Sequence, residues 1–501
     1  MKQSRPLNLV IAASEAVPYA KTGGLADVAG ALPSALAKLG HRVILVLPRY
    51  RSLDDSKRTF RVLERIPFHT PLGASEATIE EDVISTSGQL PVRVWALRHD
   101  GFFNRSSLYQ TQGKDFEDNL ERFAWFSRAV IEVIAYLHRQ KSWKTDVLHL
   151  HDWQTALCAV YLKTLDSARP EVQTTKTVLT LHNVGYQGIF PAVKFWHTGL
   201  PQSLFTPEGL EFYGSVNLLK GGILFADRLT TVSPTYAKEI LTSDFGFGLQ
   251  GVLQARQEKL QGIINGIDVD VWNPETDPFL PVRYSADKRA GKLQCKRALQ
   301  EEFGLPSKDV PLLAVIARLT SQKGLDLVEE ALPRLIDLGL QVVILGTGDL
   351  IHELSLTKIR DQFSDRMGLH IGFDEGLAHR IEGGADMLLM PSRYEPCGLS
   401  QLYSLRYGTV PIVTKTGGLV DTVLPLDRDG KNSDKATGFH ILVPTADALV
   451  NTVREAMMAY GRPTLWSDMV RRGMRTDVSW ARSARSYEEL FVNLTDAVSS
   501  E

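Results

Sequence analysis

Two glycine-rich turns carry the residue types that are best suited to bind a phosphate group. Residues Lys21–Asp27 read Lys-Thr-Gly-Gly-Leu-Ala-Asp, and residues Lys415–Asp421 repeat six of these seven positions. Each turn follows an apolar run and opens a helical pattern, so backbone N–H groups and the positive end of the helix dipole would point outward. One such turn alone is typical of an ordinary helix start. Two copies indicate two similar halves that face one phosphorylated ligand.

A second group of candidates lies in one loop of the second half. Arg318 follows an apolar run, and Lys323 comes five residues later. A guanidinium and an ammonium group in one loop can neutralise a diphosphate without a metal ion. Most basic residues in loops are simply solvated, so the position of this loop at the carboxyl end of a predicted strand leaves both interpretations open.

Glu395 lies in a turn that also follows an apolar run. Pro396 restricts Glu395 to an extended or turn geometry, and Gly398 can begin the next helix. A carboxylate placed there can bind sugar hydroxyls or stabilise positive charge at a reacting carbon; a glutamate on a surface turn is the alternative. We interpret Cys397 as a small packing residue, because no basic partner for a reactive thiolate is evident.

Polar residues also close two apolar runs in the first half. His182 and Asn183 end one run and Asp152 ends another, as expected for side chains that contact a ligand at the edge of a parallel sheet. A hydrogen-bonded core histidine is the alternative for His182. His149 and His151 would point to the same side of a strand and suggest a metal, but no third ligand at a useful spacing supports that interpretation.

The elements that must position these residues alternate between strands and helices. We predict strands at 7–14, 41–47, 92–97, 147–150, 178–181 and 229–232, and then at 312–317, 342–345, 370–372, 387–390, 411–413 and 439–442. This alternation predicts two parallel, doubly wound sheets whose ligands lie at the carboxyl ends of the strands, and therefore in an interdomain cleft. Residues 51–90 are predicted as an antiparallel excursion or a surface loop. Pro33 predicts a kink or an early end in the helix that begins near Leu25, with Gly40 as its C-terminal cap.

Composition limits the class of protein. A chain of 501 residues is too long for one ordinary core, and 44% apolar with 23% charged residues is typical of a soluble α/β protein. A net charge of −2 gives no general attraction to nucleic acid or to an anionic membrane. The three cysteines are far apart and favour a reducing compartment. With no signal-peptide pattern and no membrane-length apolar segment, we expect a cytoplasmic protein.

Taken together, these motifs resemble those of the bacterial glycogen synthases that use ADP-glucose, a family shared with plant starch synthases. The resemblance runs from about residue 7 to about residue 490 and is carried, in order, by residues 21–28, 147–153, 181–188, 263–268, 317–324, 384–398 and 407–423. It implies an α/β fold of the GT-B type, with two Rossmann-like domains and an interdomain active-site cleft. Residues 1–262 would form the acceptor-side domain and 263–480 the donor-side domain. Residues 481–501 would contain a helix, near 481–498, that crosses back to the first domain.

The resemblance implies retaining transfer of glucose from ADP-glucose to the non-reducing-end 4-hydroxyl of an α-1,4-glucan, with release of ADP. ADP-glucose would be a co-substrate, and no metal, other cofactor, nucleic acid or membrane is expected to take part. Another GT-B glucosyltransferase is one alternative, which the Lys-Thr-Gly-Gly-Leu-Ala-Asp motif disfavours. A non-catalytic glucan-binding homologue is another, and it would be expected to lack some of the basic and acidic candidates that this chain retains.

The resemblance also implies roles for individual residues. The expected catalytic residues are Glu395, His182, Asp152, Lys323 and Arg318. The expected donor-binding residues are Lys21, Gly23, Gly24, Asn183, Asn265, Arg318, Lys323, Gly417 and Gly418. In this scheme the Gly417-Gly418 turn offers backbone amides to the phosphates, and Glu395 supports the glucosyl unit without acting as a covalent nucleophile. Glu382 departs from the family pattern, which usually has an aromatic residue there, and we expect altered local packing.

Overall fold

The computed structural model of the chain describes residues 5–54, 58–85, 90–111, 113–140, 143–427 and 429–496. The chain divides into two compact units. Unit 1 comprises Met1–Asn265 together with Trp480–Glu501, and unit 2 comprises Gly266–Ser479. Residues 497 and 498, the last two of the predicted C-terminal helix, lie outside the described residues.

The strands of unit 1 come first along the chain and are followed by those of unit 2. In chain order they are β1 (Asn8–Ala12), β2 (Arg42–Pro48), β3 (Arg61–Thr70), β4 (Gly73–Ile84), β5 (Val92–Arg98), β6 (Gln110–Thr111), β7 (Lys114–Asp115), β8 (Val147–His151), β9 (Lys176–Leu181), β10 (Ile189–Pro191), β11 (Glu211–Phe212), β12 (Ser215–Asn217), β13 (Arg228–Thr231), β14 (Leu260–Gly262), β15 (Leu312–Ile316), β16 (Gln341–Gly346), β17 (Met367–Ile371), β18 (Met387–Met390), β19 (Val410–Thr414) and β20 (Phe439–Ile441).

Helices alternate with most of these strands. They are α1 (Gly24–Lys38), α2 (Asp100–Phe103), α3 (Asn119–Arg139), α4 (Trp153–Lys163), α5 (Leu218–Phe225), α6 (Pro234–Glu239), α7 (Gln250–Ala255), α8 (Ala290–Glu302), α9 (Leu325–Asp337), α10 (Leu350–Gln362), α11 (Glu375–Gly384), α12 (Ser400–Tyr407), α13 (Gly417–Thr422), α14 (Ala446–Tyr460), α15 (Pro463–Arg475) and α16 (Trp480–Asp496). Short 3₁₀ turns lie at Arg51–Leu53, Ala192–Thr198, Gln202–Leu204, Gln257–Lys259 and Ser321–Lys323. None of the helices in the described residues has both the length and the apolar character needed to cross a bilayer.

The main sheet of unit 1 has the strand order β14-β13-β9-β8-β1-β2-β5-β4-β3 within the described residues. Its strands run parallel from β14 to β5, whereas β4 is antiparallel to both β5 and β3. Of the two alternatives left open for residues 51–90, the described residues form the antiparallel excursion, as β3 and β4. The parallel strands are apolar because they are buried on both faces, as Leu9–Ala12 of β1 shows.

The prediction for Pro33 is wrong, because α1 continues through it to Lys38. A proline inside a helix loses one backbone hydrogen bond. Leu32 and Leu36, on either side, are completely buried, and their packing offsets this loss. Gly40 follows the helix with a φ of 97°, the left-handed conformation that commonly ends a helix.

The sheet of unit 2 has the order β17-β16-β15-β18-β19-β20 in the described part of the chain, and all its pairs are parallel. Alternate residues of its strands face two separate apolar clusters. Leu313 and Val315 of β15 belong to one cluster, and Leu312 and Ala314 belong to the other. Since successive side chains of a strand point to opposite faces, the core of unit 2 covers both faces of the sheet.

Helix α16 belongs to unit 1 although it follows unit 2 in the chain. It packs on α1, and Glu488 lies 3.3 Å from Nε2 of the buried His41. The rings of Tyr487 and Phe491 lie 5.2 and 5.5 Å from the ring of His149. The helix therefore completes the core behind strand β8.

Candidate functional site

Asp152 occupies the junction between β8 and α4 in a strained backbone conformation. Its φ of 55° and ψ of −169° are rare for any residue with a side chain and cost about 1–3 kcal/mol. Its Oδ1 accepts a hydrogen bond of 2.7 Å from the backbone N–H of His182. Burial raises the pKa of Asp152 to about 7, against the opposing effect of the His182 and Asn183 amides. A buried and strained carboxyl group at the carboxyl edge of a parallel sheet is typical of a functional site.

His182 forms a hydrogen-bonded pair with His151. Nε2 of His182 lies 2.8 Å from Nδ1 of His151. Burial lowers the pKa of His182 to about 3 and the pKa of His151 well below its ordinary value, so both rings are neutral at pH 7. One ring nitrogen of such a pair must donate and the other must accept.

The other ring nitrogen of His151 decides the direction of this hydrogen bond. Within the described residues, Nε2 of His151 is buried without a hydrogen-bond partner. A buried donor without an acceptor is rarer than an incompletely satisfied acceptor, so we assign the proton of His151 to Nδ1. His182 then accepts at Nε2 and carries its own proton on Nδ1, where it can donate to a ligand.

His149 joins the same row of side chains. Its Nε2 lies 2.7 Å from Oγ1 of Thr180, which lies 2.6 Å from Oγ1 of Thr230. Nε2 of His149 thus contacts a threonine, and Nδ1 of His151 contacts a histidine. The two histidines belong to a hydrogen-bonded core, and this interpretation replaces that of a metal site. His151 contacts His182 directly, and His149 packs beside His151.

The first glycine turn already holds a carboxylate of the protein itself. The backbone N–H groups of Thr22 and Gly23 donate to Oε2 of Glu15, the second at 3.3 Å. Oε1 of Glu15 accepts from the Thr22 hydroxyl at 2.8 Å and from the Tyr109 hydroxyl at 2.7 Å. The expectation of unpaired amides at this turn is therefore wrong for Thr22 and Gly23. Glu15 was not predicted, although it lies shortly after the end of β1.

The remaining candidates of unit 1 differ in their surroundings. Glu15 lies close enough to Asp152 for its charge to raise the pKa of Asp152 further. Oδ1 of Asn183 accepts from the Gly185 amide at 2.9 Å. Lys21 is half-exposed and its Nζ lies 2.7 Å from Asp27. Gly24 begins α1 beside this ion pair. The structure thus brings Asp152, His182 and Asn183 together, whereas Lys21 is turned toward its own helix.

Asn265 is the last residue of unit 1 before the chain enters unit 2. Its side chain is buried, and within the described residues its Oδ1 has no hydrogen-bond partner. Next to it, the carbonyl of Ile264 accepts a hydrogen bond of 2.5 Å from Ser483 of α16. The chain is therefore anchored at this point by α16 rather than by Asn265.

In unit 2, Lys323 and Glu395 form a partly buried ion pair. Nζ of Lys323 lies 2.5 Å from Oε2 of Glu395, which also accepts from the Ser392 hydroxyl at 2.9 Å. Gly324 has a φ of 71°, and a Cβ there would lie 2.2 Å from the carbonyl oxygen of Pro391. Only glycine allows the loops after β15 and β18 to approach this closely. The two predicted residues are therefore held together by the backbone.

Arg318 shares the loop of Lys323 but differs from it in environment. Its side chain is exposed, and in the described part of the chain its guanidinium makes no hydrogen bond or ion pair. An exposed arginine at the carboxyl edge of a parallel sheet is available to an anionic ligand. Arg318 can therefore bind an incoming anion directly, whereas Lys323 is already paired with the Glu395 carboxylate.

Gly417 and Gly418 fit closely against the turn that carries Glu395. A Cβ on Gly417 would lie 1.9 Å from the carbonyl oxygen of Glu395, and one on Gly418 would lie 2.4 Å from that of Cys397. The Gly418 amide donates to the carbonyls of Glu395 and Pro396, both at 3.1 Å. The expectation that this amide is open to a phosphate is therefore wrong. The two glycines position the Glu395 turn, and the buried Cys397 is part of that packing.

Glu382 is completely buried in α11, with both carboxyl oxygens lacking a hydrogen-bond partner among the described residues. Nζ of the nearby Lys292 instead donates to the backbone carbonyls of Glu382 and Gly383, at 3.2 Å each, and to the Thr409 hydroxyl at 2.8 Å. Burial raises the pKa of Glu382 to about 8 despite the Lys292 charge, and burial lowers the pKa of Lys292 to about 8. The departure at this position therefore places an ionisable group in the core.

Comparison with known proteins identifies the family of the chain. Residues 8–255 match the family described as the starch synthase catalytic domain, and residues 297–468 match glycosyl transferases group 1. The chain is 44% identical over 492 residues to a glycogen synthase of Syntrophotalea carbinolica, covering 97% of this chain and 98% of the relative. It is 45% identical over 490 residues to a glycogen synthase of Anaeromyxobacter sp., covering 97% and 99%.

A solved structure agrees with these matches. The catalytic domain of starch synthase IV from Arabidopsis thaliana, bound to ADP and acarbose, superposes with a TM-score of 0.89 and 35% identity. The match covers 98% of this chain and all of that domain. The predicted GT-B fold class is confirmed. The chain therefore belongs to the glycogen and starch synthase family of glycosyltransferases.

Proposed function

We propose that the protein is a cytoplasmic glycogen synthase that transfers glucose from ADP-glucose to the non-reducing-end 4-hydroxyl of an α-1,4-glucan. The α configuration is retained, and ADP leaves. The observation that carries the proposal is the Lys323–Glu395 pair at the carboxyl edge of the unit 2 sheet. It belongs to a chain that matches glycogen synthases over nearly its whole length. Such a pair would offer a cation to a departing diphosphate and a carboxylate to a sugar.

Unit 2 is proposed to bind the donor. Arg318 offers an exposed guanidinium to the diphosphate, and Lys323 shares its charge between Glu395 and the departing ADP. Fixed positive charge at a leaving group acts mainly on the transition state, because the negative charge there grows as the bond breaks. The starch synthase IV structure was solved with ADP, which supports adenosine diphosphate as the nucleotide part of the donor.

Unit 1 is proposed to orient the sugars. His182 donates from Nδ1 to a sugar hydroxyl, while Asp152 holds the loop of His182 and Asn183 through its contacts with their amides. Glu395 is held in place by Lys323 and Ser392. We therefore give Glu395 an electrostatic role at the glucosyl unit and not that of a covalent nucleophile.

The test is a transfer assay with glycogen and either ADP-glucose or UDP-glucose, each carrying a radiolabel in the glucose. We expect label in the polymer, faster transfer from ADP-glucose, and newly added residues that an α-1,4-specific amylase releases. EDTA is expected to leave the rate unchanged. Absence of polymer label from both donors contradicts the proposed activity. Faster transfer from UDP-glucose contradicts the donor, and strong inhibition by EDTA shows that a metal takes part.

A further inference from the structure

Two exposed aromatic residues of unit 1 have a backbone conformation that is strained for residues with a side chain. Tyr213 and Phe247 both have a φ of 49°, and the glycine after each also has a positive φ, 78° at Gly214 and 85° at Gly248. Asp152 is the one other non-glycine residue with a positive φ in the described part of the chain. Asparagine and glycine tolerate this conformation far better than tyrosine or phenylalanine.

The Tyr213 turn is a two-residue hairpin loop. Phe212 of β11 pairs with Ser215 of β12, which leaves Tyr213 and Gly214 as the loop. Two left-handed residues in such a loop favour Asn-Gly or Asp-Gly. Tyr213 is 83% exposed, so burial of its ring does not offset the strain. Oε1 of Glu211 accepts from the Gly214 amide at 2.6 Å and holds the turn in shape.

The two strained turns lie against each other. A Cβ on Gly248 would be 2.8 Å from the ring of Phe212 and 3.7 Å from the ring of Tyr213. Gln187 links the two segments, because its Nε2 donates to the carbonyl of Phe247 at 2.9 Å and its Oε1 accepts from Asn217 of β12 at 2.6 Å. The turns that carry the two aromatic residues are therefore fixed against each other.

This surface is continuous with the proposed site. Gln187 is buried and lies in the same loop as His182 and Asn183, and its Nε2 also donates to the carbonyl of Val184 at 3.0 Å. Strained residues that are not compensated by packing are typically retained for a ligand. The ligand expected at this surface is therefore one that contacts the loop of His182 and extends beyond it.

We propose that Tyr213 and Phe247 form an aromatic platform that binds the α-glucan acceptor by stacking against its sugar rings. This inference rests on the proposed function for the identity of the ligand. The C–H face of a pyranose ring is apolar and packs on the electron-rich face of an aromatic ring. A neutral glucan needs no charged partner. The left-handed turns fix the backbone at both aromatic residues before the glucan arrives, which lowers the entropic cost of binding.

The test compares Tyr213→Asn and Phe247→Asn with Tyr213→Phe, which keeps both the ring and the strain. Maltoheptaose is the probe, and its Kd is measured by titration calorimetry. We expect each Asn variant to raise this Kd about tenfold, as for removal of an aromatic anchor. The thermal midpoint is expected to stay level or rise, because asparagine relieves the strain. Tyr213→Phe is expected to keep the wild-type Kd.

The matched control is Leu165→Asn, an exposed apolar residue just beyond the end of α4 and thus at the amino edge of the sheet, opposite His182. It is expected to keep the wild-type Kd. An unchanged Kd in both Asn variants overturns the platform, and so does a lower thermal midpoint with loss of ADP affinity. A dimer that becomes a monomer in the Asn variants identifies a self-association surface instead. If the wild type transfers glucose but the Asn variants keep its Kd for maltoheptaose, the platform is overturned and the proposed function stands. If the Asn variants raise this Kd but the wild type does not transfer glucose, the platform stands and the proposed function is overturned.

Discussion

Replacement of Glu382 by glutamine is expected to stabilise the protein, and to do so only above mildly acidic pH. Glu382 is buried in α11 without a hydrogen-bond partner for its carboxyl oxygens among the described residues. The folded protein therefore favours the protonated, neutral carboxyl group, whereas the unfolded chain releases the proton near its ordinary pKa. Glutamine has nearly the same shape and stays neutral at every pH.

The size of the effect follows from linkage between proton binding and folding. The pKa of Glu382 is raised from 4.5 to about 8 in the folded protein, chiefly by burial. A raised carboxyl pKa means that stability is lost as the pH rises from 4.5 to 8, and that the loss is complete above 8. At pH 7 the interval is about 2.5 pH units, and each costs about 1.4 kcal/mol. Glu382 is therefore expected to destabilise the folded state by about 3 kcal/mol at pH 7.

The neighbouring Lys292 does not obscure this measurement. Burial lowers its pKa from 10.5 to about 8, so its own contribution changes with pH between 8 and 10.5. Urea unfolding followed by tryptophan fluorescence at several pH values from 5 to 8 thus isolates Glu382. We expect Glu382→Gln and the wild type to differ by less than about 1 kcal/mol at pH 5 and by about 3 kcal/mol at pH 7.

The matched control is Glu301→Gln, on the exposed side of α8. Its free energy of unfolding is expected to follow that of the wild type at every pH. A difference between Glu382→Gln and wild type that does not change with pH would refute the argument, because it would come from packing rather than from the charge. A glutamine variant that is less stable than wild type at pH 7 would refute it as well.

Three further predictions concern the proposed transfer reaction. Arg318→Ala and Lys323→Ala are each expected to lower kcat at least about tenfold, because a fixed charge at a leaving group is worth several kcal/mol; near-normal kcat in both would contradict the phosphate role. Lys21→Ala is expected to lower kcat more than it weakens ADP binding, measured by calorimetry, since Lys21 is paired with Asp27 in the structure. His151→Asn is expected to retain more kcat than His151→Leu, because the amide of asparagine can donate to His182 as Nδ1 of His151 does. Nitrogen NMR of labelled histidine should show His182 protonated on Nδ1 in the wild type. Equal kcat in the two His151 variants, or a proton on Nε2 of His182, would contradict the assignment.

Parallel strands were predictable from the sequence because burial on both faces leaves a continuous apolar run. The predicted strand 387–390 coincides with β18. The sequence does not distinguish a hairpin from a surface loop at β3 and β4, because exposed charged residues such as Glu64 and Glu76 interrupt the strand pattern. The apolar run is a local signal, whereas the pairing of two half-exposed strands depends on their neighbours.

The candidate site was predictable only in its individual residues. Asp152, His182 and Glu395 were identified because each polar residue follows an apolar run. The same rule applies to Glu15, whose role depends on the fold of the following turn. The Tyr213 turn was missed because an aromatic residue stands where asparagine would have indicated a hairpin, and only Gly214 keeps the signal. Hydrogen-bond partners such as those of Gly418 arise from contacts between distant segments, which spacing along the chain does not reveal.

The assignment of α16 to unit 1 has a consequence for how the chain folds during synthesis. Domains usually fold in order as they leave the ribosome. Here residues 1–265 emerge first, but the ring contacts of Tyr487 and the partner of His41 are supplied only after all of unit 2 has been made. The second unit can therefore reach its final structure before the first does. Until α16 has been made, the surface of α1 and the ring of His149 lack the contacts that α16 provides. This interval is therefore the stage at which a chaperone would act.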